Sequence, residues 1–146
     1  MGAERAGFGR RLAAALIDGL IVGIPAYVLL KILGQTHTTT SATGSSASFS
    51  TGYTGLGTIL NVLIFIAYYT YFESQAAGQT LGKKVMGIRV CDLTTGQPIG
   101  LNRALFRAVG RYVSAIACLL GYLWMLWDGN KQTWHDKFAT STVVKT

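Results

Sequence analysis

Residues 12–30 of this chain read LAAALIDGLIVGIPAYVLL, a run of nineteen residues in which Asp18 carries the only charge. An α-helix needs about 20 apolar residues to cross the roughly 30 Å hydrocarbon core of a bilayer. A cleaved signal peptide has a shorter, uncharged apolar core that is followed by small residues at a cleavage site. Asp18 and the absence of such a site argue against cleavage, so the run predicts a retained membrane-spanning helix.

The composition of the whole chain favours lipid over water as its surroundings. Its 146 residues are enough for one domain. Hydrophobic residues make up 50% of the chain and charged residues only 13%, whereas a soluble domain carries roughly 25% charged residues. The net charge of +7 fits an acidic membrane surface or nucleic acid. With the apolar excess, it favours the membrane and argues against a soluble nucleic-acid binder, a disordered chain and a disulfide-rich secreted domain.

Asp18 is the main candidate for a functional residue in this first helix. It lies six residues beyond Leu12, which is about 9 Å into the apolar layer at 1.5 Å per residue. An unpaired carboxylate at such a depth costs about 2.5–3.5 kcal/mol or more, so it must be partnered, protonated or in contact with water. Two interpretations stay open. Asp18 binds a proton or a small cation, or it is a buried polar clamp that holds the helices together.

A second spanning helix is predicted after a polar loop. Residues 34–54 are rich in Ser, Thr and Gly and contain no Lys, Arg, Asp or Glu, so they predict a flexible extracytoplasmic loop. Residues 55–72 read GLGTILNVLIFIAYYTYF and are uncharged up to Glu73. Because this helix returns across the membrane, Tyr68 and Tyr69 should lie near the depth of the buried aspartate, where a hydroxyl could hydrogen-bond the carboxylate. Alternatively, they anchor the helix at the interface.

The part of the chain after residue 73 carries most of the basic side chains, whereas the Ser/Thr/Gly-rich loop has none. By the positive-inside rule, this predicts that the amino terminus and the basic part both lie in the cytoplasm. Residues 85–99 contain two β-prone runs around a Thr-Gly pair and predict a small cytoplasmic β-hairpin. An arginine at every fourth position then predicts a basic amphipathic helix that contacts anionic lipid headgroups or a partner protein through Arg103, Arg107 and Arg111.

A third apolar segment, residues 112–127, has sixteen uncharged residues and is short for an independent span. It either crosses the membrane together with the amphipathic helix or turns back as a re-entrant hairpin. A terminal strand over residues 140–145 could pair with residues 87–92, which requires both to lie on one side of the membrane. The predicted fold is therefore an all-α membrane protein with two transmembrane helices plus a third short apolar segment, spanning or re-entrant. The small cytoplasmic β-hairpin and the basic amphipathic helix complete it.

Three sequence blocks stand between and after these apolar segments. They are RLAAALID at residues 11–18, GQTLGKKVMGIRV at residues 78–90 and QTWHDKFATSTVV at residues 132–144. In this order they resemble the RDD family of bacterial membrane proteins, which is named for an arginine and two aspartates. The resemblance covers nearly the whole chain except residues 35–54. It implies that residues 1–146 form a single RDD-type membrane domain in a bacterial cytoplasmic membrane.

The resemblance also assigns site residues. The family arginine matches Arg11, which Arg10 duplicates, and the two aspartates match Asp18 and Asp136. Some family members have been linked to sodium or proton exchange, which implies a polar core for transport. His135 could relay protons beside Asp136, or the His-Asp pair could simply begin a helix. The other residues expected to support this core are Tyr68, Tyr69, Glu73 and Lys83, of which Lys83 matches the lysine of the TLGK block.

Two classes of function are therefore expected. In the first, a homo-oligomer moves small cations or protons through Asp18, since two or three helices cannot enclose a pathway alone. In the second, the chain is a membrane scaffold or accessory subunit that binds a partner protein or anionic lipid. The GQTLGKK run is one residue short of a phosphate-binding loop and lacks its Ser or Thr. No nucleophile arrangement or metal-ligand cluster is recognisable in the sequence, so no enzyme activity, metal or cofactor is expected.

Overall fold

The fold begins with the first predicted span, which forms one long helix. The computed structural model describes residues 4–43, 46–116, 120–129 and 131–146. Helix α1 (Phe8–Ile32) has 25 residues and contains Pro25. Its buried residues recur at every fourth position, so that a single narrow stripe contacts the rest of the protein, and they are Ala14, Asp18, Val22, Ala26 and Leu30. Most of its other side chains are apolar, and the large ones among them are mainly exposed, as expected for a helix that faces lipid.

Helix α2 (Gly55–Ser74) returns alongside α1. It begins after Thr54, whose hydroxyl oxygen accepts a hydrogen bond from the Gly57 backbone N–H at 3.0 Å, the usual role of threonine at a helix N-cap. Within the ranges described, α1 and α2 are the two helices that are long and apolar enough to cross a membrane. Both lie where the sequence predicted spans.

The polar segment between these helices is a β-hairpin. Strand β1 (Thr36–Thr43) pairs antiparallel with β2 (Ser46–Tyr53), and the register joins Thr36 to Tyr53 next to the helix ends. The Tyr53 ring also lies edge-on to the ring of Tyr27 on α1, with 6.2 Å between centroids. Composition predicted a flexible loop here, and the observed pairing corrects this. The β-branched threonines favour extended strands. Pairing of the two strands provides hydrogen-bond partners for their backbone N–H and C=O groups.

The β-hairpin predicted within residues 85–99 is not formed, because its first strand pairs with another part of the chain. Strand β3 (Ile88–Asp92) pairs antiparallel with β4 (Ser141–Lys145), which is the pairing that was also expected for the terminal strand. After β3 the chain does turn, at Gly96 with a φ of 69°, but it leads into a helix. Pro98 follows closely and lacks the N–H that a second strand of the hairpin would need.

The amino-terminal residues extend the β3–β4 sheet. The Ala6 N–H donates to the Val143 carbonyl at 2.8 Å, and the Lys145 N–H donates to the Glu4 carbonyl at 2.8 Å. Since α1 begins at Phe8, strand β4 lies beside the amino-terminal end of α1. The first and last described residues are therefore at the same end of this helix.

The third apolar segment begins within a helix, and its residues 117–119 lie outside the described residues. Helix α4 (Gly100–Ile116) is followed by the short α5 (Leu120–Leu123) and a 3₁₀ turn (Trp124–Leu126). Beyond this turn the chain is again beside the start of α1, where Arg11 Nη2 donates to the Lys131 carbonyl at 2.9 Å. The residues after the third apolar segment therefore lie at the amino-terminal end of α1.

Two one-turn helices, α3 (Leu81–Val85) and α6 (Trp134–Phe138), complete the fold. The fold is therefore mostly helical with two strand pairs, so the all-α class is corrected. Its apolar core is small and lies where the β3–β4 sheet meets α1 and α4. The core residues are Ala6, Ala14, Ile88, Val90, Ile99, Ala104 and Val143. Much of the remaining buried volume is filled by charged and polar side chains.

Candidate functional site

Asp18 is 1% exposed and accepts hydrogen bonds from two other helices. Its Oδ1 atom accepts from the Tyr68 hydroxyl at 2.9 Å and from the Gly82 backbone N–H at 2.7 Å. Its Oδ2 atom accepts from the Thr80 hydroxyl at 2.5 Å. The bond from Tyr68 is the one expected from its depth on α2. All three donors are neutral, and none of the ion pairs among the described residues includes Asp18.

The backbone of α3 lies directly against α1 at Gly82. A Cβ atom added there would overlap the Ala14 carbonyl oxygen and lie 2.9 Å from the carboxyl carbon of Asp18. Thr80 precedes α3 as its N-cap, and its hydroxyl oxygen accepts from the Lys83 N–H at 3.4 Å while it donates to Asp18. The TLGK block thus folds as a capped turn that the carboxylate of α1 holds in place.

Glu73, at the end of α2, is the centre of a second polar cluster. It is 0% exposed and forms ion pairs with three cations. Arg107 Nε and Arg111 Nη2, both on α4, each lie 2.9 Å from a carboxylate oxygen of Glu73. The Lys83 ammonium on α3 is also bonded to Glu73. Arg111 is further placed over the ring of Tyr69, 3.8 Å from its centroid. A residue expected only to support the site is therefore its main anchor.

Asp136 is the second buried anchor, at 0% exposed on α6. It forms ion pairs with Arg11 of α1 and with Arg107 of α4, so that Arg107 joins both carboxylate clusters. Asp136 Oδ2 also accepts from the Thr133 N–H at 3.2 Å, which is the helix-start role considered for the His-Asp pair. Arg107 Nη1 donates in addition to the Ser141 hydroxyl at 2.7 Å. Asp136 thus pairs with Arg11 and Arg107, which tie α6 to α1 and to α4.

The environment of Asp136 fixes the charge of its neighbours. Burial raises the pKa of the Asp136 carboxyl, but the Arg107 and Arg11 guanidinium groups outweigh burial and hold it well below its usual range. Burial also lowers the pKa of the adjacent His135 well below its ordinary value, despite the attraction of Asp136. The imidazole is therefore neutral at pH 7. Its Nε2 atom lies 3.0 Å from the Thr133 hydroxyl.

Arg107 and Arg111 of α4 face the protein interior, which corrects, for these two residues, the prediction that they contact lipid headgroups or a partner protein from the helix surface. Arg107 is 2% exposed, and Arg111 is directed at Glu73. Arg103 is the most exposed of the three, with a side chain that is 48% accessible, and it pairs with Asp92 at the end of β3. Arginines at every fourth position indicate a charged helix face. Most of this face points inward because Arg107 and Arg111 pair with buried carboxylates.

Arg10 and Arg11 are adjacent on α1 but occupy different surroundings. Arg10 is exposed, whereas Arg11 reaches inward and donates to Asp136, to the Ala6 carbonyl at 3.2 Å and to the Lys131 carbonyl at 2.9 Å. The geometry therefore supports Arg11 as the functional arginine of the first block. Arg11 makes no ion pair with the aspartate of its own helix, since their seven-residue separation keeps the two groups apart.

A cavity of about 360 Å³ is bordered both by Asp18 and by cations that pair with Glu73 and Asp136. Its polar lining includes Asp18, Lys83, Arg11, Arg107 and Arg111, and its apolar lining includes Leu12 and Leu16 of α1. Burial lowers the pKa of Lys83 to about 7, against the attraction of Glu73. Asp18, with its three hydrogen bonds, and the buried Lys83 thus line the same cavity.

Sequence reasoning did not single out four of the residues that build this site, three of them polar. Thr80 and Thr133 begin short helices, and a threonine directly before a helix is a recognisable N-cap signal. Position 82 requires glycine because its backbone lies against Ala14 of α1, which is far away in the sequence. Ser141 receives its bond from Arg107 only because β4 pairs with β3. The last two contacts have no local signal in the sequence.

Comparisons with known proteins identify the family of this chain. The family model described as RDD family matches residues 5–140. The uncharacterized membrane protein YteJ of Bacillus subtilis is 31% identical, over 95% of this chain and 80% of its own length. The uncharacterized protein YxaI of the same organism is 28% identical, over 95% of this chain and 96% of its own length.

The chain also resembles a longer protein. It is 33% identical to the proline-rich antigen of Mycobacterium leprae, over 92% of this chain, but it spans only 58% of that protein. No solved structure matches it. The family match covers both aspartates, Arg11 and the TLGK block, which are among the residues that build the polar clusters. The chain belongs to the RDD family, and its two long apolar helices are those of a membrane protein.

Proposed function

We propose that the chain moves small cations or protons across the membrane, and that Asp18 is the group that alternately binds them. One observation supports this proposal above the others. Glu73 and Asp136 are each neutralised by two or more cationic side chains, whereas the described residues provide Asp18 with neutral donors. Its charge can therefore be balanced by a proton or by a small cation.

The hydrogen bonds of Asp18 leave room for such an ion. A carboxylate has about four acceptor positions, and Tyr68, Gly82 and Thr80 occupy three of them. Asp18 also lines the cavity, so the remaining position is next to an internal space. Intramembrane carboxylates in general mark ion pathways and proton relays.

Transport would need more than one copy of the chain, because two long helices do not enclose a pathway. The long helices α1 and α2 leave most of their apolar surface exposed, and this surface can pack against a second copy or against lipid. In this proposal the cluster of Arg11, Asp136, Arg107 and Glu73 is the rigid support. It fixes α4 and α6 against α1 and α2, while Asp18 does the exchange.

The proposal predicts that Asp18→Asn abolishes transport without unfolding the protein. Asparagine keeps the shape, its oxygen can still accept from Tyr68 and Gly82, and its nitrogen can donate to Thr80, since a hydroxyl both donates and accepts. What is lost is the charge. Purified protein in proteoliposomes with an internal pH indicator should move protons when sodium is added, and the variant should not.

The matched control for this experiment is Glu4→Gln, which removes an exposed carboxylate on the same chain. It should transport at the rate of the unchanged protein. A normal rate in folded Asp18→Asn protein would refute the proposed mechanism. If the unchanged protein moves no cation or proton at all, the proposal fails as a whole.

We further propose that both termini lie in the cytoplasm and that the β1–β2 hairpin lies outside. Strand β4 beside the start of α1 supports a common side for the termini, and the basic residues after α2 support the cytoplasm as that side. In intact cells, an impermeant thiol reagent should label Thr40→Cys but not Thr95→Cys or Thr146→Cys. Permeabilised cells provide the control for reactivity. Labelling of Thr146→Cys in intact cells would instead support three spans.

A second candidate function is that of a scaffold or accessory subunit. It is favoured if the hydrogen bonds of Asp18 serve only to hold the helices together. Asp18 joins α1 to α2 and to α3, and these bonds would be sufficient reason for its burial. This function predicts a partner that co-purifies in mild detergent and is lost with Arg103→Ala, which alters an exposed side chain. Recovery of the bare protein, with sodium-dependent proton movement, would exclude it.

A further inference from the structure

We propose that the internal cavity binds the phosphate of an anionic phospholipid, whose acyl chain leaves the protein between Leu12 and Leu16 of α1. This inference concerns a ligand that the transport proposal does not require. Three features of the cavity carry it: its charge, its opening and its hydrogen-bond donors.

The charge of the region favours an anion. Among the described side chains that line the cavity or pair with its lining, four are cationic and three are carboxylates, so one positive charge remains when all are ionised. Excess charge is costly in a buried setting unless it is compensated. The four cations are Arg11, Lys83, Arg107 and Arg111, and the three carboxylates are Asp18, Glu73 and Asp136.

The opening of the cavity favours an amphiphile over a soluble anion. Leu12 and Leu16 line the cavity and are also 46% and 62% exposed on the outer face of α1. These two leucines are one helical turn apart on α1, which is long and apolar enough to cross a membrane. The cavity therefore opens toward hydrocarbon, and a ligand that enters there needs an apolar portion. Its volume of about 360 Å³ lies within the usual range for ligand pockets, roughly 300–1,000 Å³.

Lys83 supplies donors for the phosphate. Its ammonium has three N–H groups and, within the described chain, one hydrogen bond, to Glu73. It is 6% exposed and faces the cavity. Two N–H groups are thus available to a phosphate oxygen, and charge-assisted bonds of this kind are about twice as strong as neutral ones. A bound phosphate would also favour the charged lysine, whose pKa burial lowers to about 7.

The test measures binding of short-chain lipids to the full-length protein in mild detergent by native mass spectrometry. Dioctanoyl phosphatidylglycerol should bind at one molecule per chain. Dioctanoyl phosphatidylcholine should bind more weakly, because its trimethylammonium group meets the cationic lining. Lys83→Gln should weaken the binding of phosphatidylglycerol by about tenfold or more, the effect expected for one hydrogen bond to a charged group.

Matched controls separate the site from its surroundings. Lys84→Gln changes the exposed neighbour of Lys83 and should bind as the unchanged protein does. Leu16→Trp should close the opening and reduce binding, whereas Leu20→Trp, at a position 63% exposed on the same helix and outside the cavity lining, should not. The leucine pair decides the matter even if Lys83→Gln does not fold.

Three outcomes would overturn the proposal. They are equal binding of the two lipids, unchanged binding in Leu16→Trp, and complete displacement of the lipid by an equal concentration of inorganic phosphate, which would indicate a site for soluble anions. Transport by Asp18→Asn is measured in a separate assay, so failure of one proposal is distinguishable from failure of the other.

Discussion

Arg107→Met should lower the free energy of unfolding by about 3 kcal/mol. Removing one partner of a buried ion pair typically costs about 3–5 kcal/mol because it leaves an uncompensated charge. Arg107 is a partner of both buried carboxylates and donates to Ser141 as well. We expect the lower end of the range because Glu73 keeps two other cations and Asp136 keeps Arg11. Denaturant unfolding of the protein in detergent measures the change.

The control is Arg103→Met, four residues earlier on the same helix. Its guanidinium pairs with Asp92, but its side chain is 48% accessible. Exposed ion pairs contribute about 0–1 kcal/mol, so this variant should lose no more than that. Equal losses in the two variants would mean that Arg107 is not buried between the two carboxylates and that the described network is wrong.

Gly82→Ala should cost about 3 kcal/mol, the upper end of the roughly 1–3 kcal/mol found for overpacking. The new methyl group would overlap the Ala14 carbonyl oxygen and crowd the Asp18 carboxyl group. These atoms belong to a helix backbone and to a side chain held by three hydrogen bonds, so neither can move cheaply. The variant should force α3 away from α1, and the loss of the Gly82 N–H bond to Asp18 adds to the cost. Thermal unfolding of the purified variant is the measurement.

Gly19→Ala provides the control for this substitution. Gly19 follows Asp18 on α1, but an added Cβ there meets no atom within 4 Å in the part of the chain that the structure describes. Alanine is favoured over glycine in a helix by about 1 kcal/mol, so this variant should be as stable as the unchanged protein or more so. A large loss in Gly19→Ala, or none in Gly82→Ala, would contradict the docking of α3 on α1.

The spans and the polar core could be predicted because their signals are local. Nineteen apolar residues around one aspartate indicate a membrane helix that must satisfy a carboxylate, and the depth argument placed Tyr68 beside it correctly. The three sequence blocks identified Arg11, Asp18, Asp136 and Lys83. In the structure Arg11, Asp18 and Lys83 line one cavity, and Asp136 pairs with Arg11.

The partners of these residues could not be predicted, because they depend on contacts between distant segments. A regular spacing of arginines is the same whether the helix faces lipid or carboxylates, and only the position of Glu73 and Asp136 decides. The hairpin between the spans was missed because the composition of residues 34–54 indicates only that few apolar side chains can be buried. The segment is ordered by hydrogen bonds between backbone groups, which composition does not reveal. The prediction of a strand after the TLGK block was confirmed. Its hairpin partner was wrong, because the partner is residues 141–145, which reach β3 only through the fold of the intervening chain.

The central claim is that Asp18 exchanges a proton for a small cation, and infrared difference spectroscopy tests it most directly. A protonated carboxyl group absorbs as a C=O stretch that is lost when the group ionises. Adding sodium to the unchanged protein in lipid should remove one such band, and Asp18→Asn should lack that change while keeping its fold. If sodium produces the same carboxyl signal in both proteins, or none in the unchanged protein, Asp18 is not the exchanging group.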